Sequence, residues 1–83
     1  MSTTPTKAEM KTALAAAKSA VRIIEGNRTV VLAELMALLI AYHCAQMRVN
    51  GMPDPSETLS RFLVEIGERG LDYEADGLIE RVH

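Results

Sequence analysis

Between Val30 and Gln46 only Glu34 carries a full charge. A helix that is apolar on nearly every side cannot rest on one small neighbour, so this segment is expected at the centre of the fold, at an oligomer seam, or both. The chain has 83 residues, room for a single domain, and a domain of that size buries only about 60% of the surface its unfolded chain exposes. Self-association is one way to bury more. The three aromatics are Tyr42, Phe62 and Tyr73. A core built instead from Leu, Ile, Val, Met and Ala suits packed helices better than a sheet.

Punctuation along the chain divides it into helices. Thr6 followed by Glu9 has capping-box spacing, and Gly26 with Asn27 supplies left-handed stop residues, which places a first helix at about 7–25. A second, at about 29–49, ends before Asn50 and Gly51. Asp54, Pro55, Ser56 and Glu57 combine an Asp N-cap, proline at the first helical position and an acid at the third. The third helix they open is expected over 55–69, with Gly70 as its left-handed cap and Leu71 as the apolar contact beyond it. Asp72 then caps a short fourth helix over 73–82. The expected fold class is all-α: a small bundle of three long helices plus a short C-terminal one, a single domain over residues 1–83, dimeric around the second helix.

Periodicity assigns the faces. In the first helix Met10, Leu14, Ala17, Val21 and Ile24 step by four, three, four and three, the seam of a helix pair. Lys7, Lys11, Lys18 and Arg22 form a basic ridge on the opposite side. In the second helix Ala33, Ala37, Ala41 and Ala45 recur every fourth residue and form a shallow ridge suited to close approach by the alanine-rich first helix. The remaining arc is larger than the other helices can cover. Its dimer or partner interface is expected at Leu35, Met36, Leu39, Tyr42, His43 and Gln46, with the His43 ring buried in the core or seam against a hydrogen-bond partner. The third helix buries Leu59, Phe62, Leu63 and Ile66, and the fourth offers Leu71, Ala75, Leu78, Ile79 and Val82.

Charge is polarised along the chain. Residues 1–53 hold six basic and three acidic side chains, a net of +3, while residues 54–83 hold eight acidic and three basic, a net of −5. Such asymmetry can dock the chain's own helices, orient a pair of copies, or present an acidic surface to a basic partner. The lone Cys44 forms no internal disulfide, which points to a reducing compartment. The apolar run Leu14 to Ala17 is too short for a secretory signal. The uncharged stretch from Leu35 to Met47 is short for a membrane span and includes His43 and Gln46. A soluble cytoplasmic protein is expected.

Site chemistry is sparse. Asp72, Glu74 and Asp76, or Glu65 and Glu68, supply carboxylates, but no nucleophile is patterned with them. Ser56, Thr58 and Ser60 sit where helix capping alone would place them. Cys44 and His43 point to different sides of their helix, and His83 is the last residue, so no zinc-ligand spacing arises. No catalytic residue, metal or cofactor is expected. The functional expectation is a homodimeric interaction module that binds another protein as a regulator, inhibitor or adaptor, a type common in phages and other mobile elements. The alternative is a small nucleic-acid-binding regulator that uses Lys7, Lys11, Lys18 and Arg22 on phosphates.

Overall fold

The computed structural model describes residues 4–81. It contains three α-helices, α1 (Lys7–Ile24), α2 (Thr29–Val49) and α3 (Pro55–Ala75), and ends in a 3₁₀ turn at Leu78–Arg81. No strand occurs among the described residues.

Local chemistry accounts for most of the boundaries. At the start of α1 the Thr6 hydroxyl accepts from the Glu9 amide at 3.2 Å, and the Glu9 carboxylate accepts from the Thr6 amide at 2.8 Å. Two amides that the helix leaves without partners are thereby satisfied. These bonds favour the ionised carboxylate and hold Glu9 below the usual carboxylate pKa range. α1 stops at Ile24, where Asn27 Nδ2 donates to the Ile23 carbonyl at 2.7 Å and Gly26 takes a φ of 84°. α2 ends in a Schellman motif: the amides of Met52 and Gly51 donate back to the Met47 and Arg48 carbonyls, both at 3.0 Å, with Gly51 at φ 79°. At the start of α3 the Asp54 carboxylate accepts from the Glu57 amide at 3.3 Å and from the Ser56 hydroxyl at 3.0 Å.

The C-terminal half differs from the expected 55–69 and 73–82 helices. α3 runs unbroken through Gly67 and Gly70 to Ala75, and Asp72 lies within it, its carbonyl accepting the Asp76 amide at 2.9 Å. The apolar stripe of Leu59, Phe62, Ile66 and Tyr73 continues past Gly70 on one face, and its burial outweighs the roughly 1 kcal/mol that a helical glycine costs. The left-handed stop is Gly77, at φ 73°. Beyond it the 3₁₀ turn stands in place of a fourth α-helix, and Val82 and His83 lie outside the described residues.

α2 packs on both α1 and α3, and α3 on the turn. The packing is open. Leu59, 7% exposed, is the one buried hydrophobic side chain among the described residues. The radius of gyration is 14.0 Å, against about 12 Å for a compact chain of this length. The accessible surface is 6852 Å², whereas a compact monomer of 9.1 kDa exposes about 4,900 Å². The excess, about 2,000 Å², is more than twice the roughly 800 Å² that one partner contributes to a standard interface.

Candidate functional site

One side of α2 turns toward the rest of the fold. Ile40, His43, Cys44 and Met47 are half-buried, and the His43 ring stacks on Phe62 of α3, with centroids 5.1 Å apart and planes within 1° of parallel. His43 is thus held by an aromatic face; it makes no hydrogen bond among the described residues, and no side-chain nitrogen or oxygen there is buried without one. The alanine ridge is not the contact with α1. Ala33, Ala37, Ala41 and Ala45 are all exposed, because turning Ile40 and Met47 inward buries more apolar surface than turning in methyl groups would.

The rest of α2 is uncovered. Met36, Leu39 and Tyr42 are 56%, 58% and 66% exposed, Leu38 is 60% exposed, and Gln46 is exposed beside a half-buried Leu35. Four of the six residues expected at an interface, Met36, Leu39, Tyr42 and Gln46, are therefore exposed, while Leu35 and His43 are half-buried. Two further positions complete the pattern. Leu32, Leu35, Leu39, Tyr42, Gln46 and Val49 step by three and four alternately, which is the a/d spacing of a helix seam, with Gln46 as its one polar member. Leu32 and Val49 were legible from that spacing alone.

α1 presents a different surface. Its stripe of Met10, Leu14, Ala17 and Val21 lines one wall of an open apolar groove of about 560 Å³, and α3 and the turn line the other with Ile66, Tyr73 and Leu78. The predicted seam of α1 thus faces a gap between helices instead of a neighbour's side chains. Lys7, Lys11 and Lys18 stand exposed around a separate shallow patch that shares Met10 and Leu14 with the groove, and Arg22 continues the ridge. At the outer side of α3, Glu57, Glu65, Glu68 and Asp72 are exposed, and Glu57 pairs with Arg61 at 2.7 Å. No group of three metal-ligating side chains occurs among the described residues. Comparison with protein-family models, with curated proteins and with solved structures finds no match to this chain.

Proposed function

We propose that the chain is a soluble, cytoplasmic, homodimeric interaction module that binds another protein, with the seam of Leu32, Leu35, Leu39, Tyr42, Gln46 and Val49 flanked by Met36 and His43 as its self-association surface. One observation carries this reading: the most apolar helix of the molecule has no fully buried residue and leaves Leu32, Met36, Leu38, Leu39, Tyr42 and Val49 exposed, on a subunit whose surface exceeds that of a compact monomer by more than an interface's worth. Exposed apolar area on that scale marks an interaction surface. The seam is self-complementary by spacing, as a two-fold pair of identical helices requires.

Light scattering across a dilution series tests the pairing. The expected mass is twice the 9.1 kDa of the chain. Leu39→Glu is expected to return a monomer that keeps its helicity, since Leu39 already stands in solvent within one subunit. A wild-type protein that stays monomeric at high concentration overturns the proposal.

A membrane-spanning α2 is the rival reading, favoured by a helix long and apolar enough to cross a bilayer. Against it, α1 lies beside α2 with Lys11 and Lys18 on its outer face. Inserting the packed helices together would carry each lysine into hydrocarbon at about 2.5–3.5 kcal/mol. Fractionation of expressing cells separates the two: the proposed module stays in the supernatant, and carbonate-resistant sedimentation with membranes refutes it.

A further inference from the structure

α2 carries two charged side chains, Glu34 near its start and Arg48 near its end. Both are exposed, and neither makes an ion pair or a side-chain hydrogen bond among the described residues. They share one flank. Each stands one residue before a member of the row Leu35, Tyr42 and Val49, so both project about 100° to the same side of that row, beyond Leu38 and Ala45. Their placement along the helix is symmetric about the seam. The seam runs from Leu32 to Val49, with its midpoint between Ile40 and Ala41, and the midpoint of Glu34 and Arg48 is Ala41.

A two-fold pair can set its two copies of α2 parallel or antiparallel. In the antiparallel pair, Leu32 lies opposite the partner's Val49 and Leu39 opposite the partner's Tyr42, and like flanks of the two helices adjoin. Glu34 then comes within one residue, about 1.5 Å of helical rise, of the level of the partner's Arg48. Symmetry makes this match twice, once at each end of the seam. In the parallel pair the charged flank of one copy adjoins the opposite edge of the other, which bears Met36 and His43, and like charges share each level. The helix termini favour the same choice, since only antiparallel copies set the partial positive charge at one helix start beside the partial negative charge at the other's end. Gln46 lies in the last turn of α2 and is exposed, so its amide keeps water in either arrangement.

We infer that the second copy docks on α2 antiparallel, with Glu34 of each chain paired to the partner's Arg48. The inference rests on the proposed homodimer and assigns its orientation. The two charges also hold the register, because a slip of one heptad parts each pair by about 10 Å.

Cross-linking in a Cys44→Ser background tests the orientation. Leu32→Cys and Val49→Cys, at opposite ends of the seam, are treated with a short bis-maleimide separately and mixed. The mixture is expected to give a cross-linked dimer and neither variant alone, because identical end positions in an antiparallel pair lie about 25 Å apart. Cross-linking of each variant with itself overturns the inference. Charge exchange gives a second reading that leaves the seam intact. Glu34→Arg or Arg48→Glu alone is expected to raise the dimer Kd about tenfold, by turning two ion pairs into two repulsions, and the double exchange to restore it within about twofold. Single variants that leave Kd unchanged, or a double exchange no better than either single, also overturn it. Sedimentation of the wild-type chain keeps the two readings apart: a dimer that cross-links like with like sinks the orientation alone, whereas a monomer, with α2 covered by a bilayer or by another protein, sinks the homodimer and the orientation together.

Discussion

Truncating Leu39 to alanine gives the α2 seam a measurable consequence. In one subunit Leu39 is 58% exposed, so a lone chain gains little from its side chain, and its loss leaves monomer stability within about 0.5 kcal/mol. Covering the same side chain in a seam changes the outcome. Full burial of a leucine is worth about 1.5–3 kcal/mol, and the 58% still open corresponds to about 0.9–1.7 kcal/mol per chain. A two-fold seam loses it from both copies, about 1.7–3.5 kcal/mol per dimer, which at 1.4 kcal/mol per decade weakens the dimer roughly 20- to 300-fold. Sedimentation equilibrium over a dilution series reads that shift in Kd directly. Urea unfolding at two protein concentrations supplies an independent reading, because a dimer's midpoint moves with concentration and a monomer's does not. The reasoning is refuted if Leu39→Ala leaves Kd unchanged, or if the wild-type urea midpoint ignores concentration.

The subunit itself sets three further outcomes. Leu59→Ala removes the one buried apolar side chain among the described residues and is expected to cost about 2–5 kcal/mol, read as a large fall in the urea midpoint at fixed concentration. Gly67→Ala is expected to stabilise by about 0.5–1 kcal/mol, since Gly67 is helical and a Cβ there meets nothing within 4 Å; thermal melting tracked by circular dichroism checks it. Acidification should unwind the first turn of α1. The Glu9 pKa is lowered in the folded chain by its hydrogen bonds to Thr6, so its contribution is present above the ordinary carboxylate value of about 4.3 and disappears as pH falls through the lower folded value. Amide exchange at Glu9 reports this loss, and Glu9→Gln should abolish its pH dependence.

What could be read from the sequence depended on how far apart the interacting groups lie along the chain. The caps of Thr6 with Glu9 and of Asp54 with Glu57 close within four residues, and both form as their spacing implies. The Gly51 stop works in the same way, through carbonyls of the preceding turn. Gly70 misled because a glycine signals a stop only where the stripe behind it ends, and Ile66 and Tyr73 keep that stripe going into the last turn of α3. The orientation of α2 was harder still. Alanines and leucines both repeat at helical spacing, and which side turns inward depends on Phe62, whose ring receives His43 from nineteen residues earlier. The uncovered outer arc was legible because it needs only a comparison of apolar circumference with available cover. The groove was not, since it exists through a separation between α1 and α3 that neither helix encodes alone.

The scarcity of enclosed side chains sets the terms on which this polypeptide persists in a cell. With little beyond Leu59 shut away, a newly made copy opens often, and proteases act on the opened fraction. If α2 pairs as proposed, its cover would also govern turnover: copies that found cover would survive, copies in excess would be cleared, and steady-state abundance would track the supply of that cover rather than the rate of synthesis.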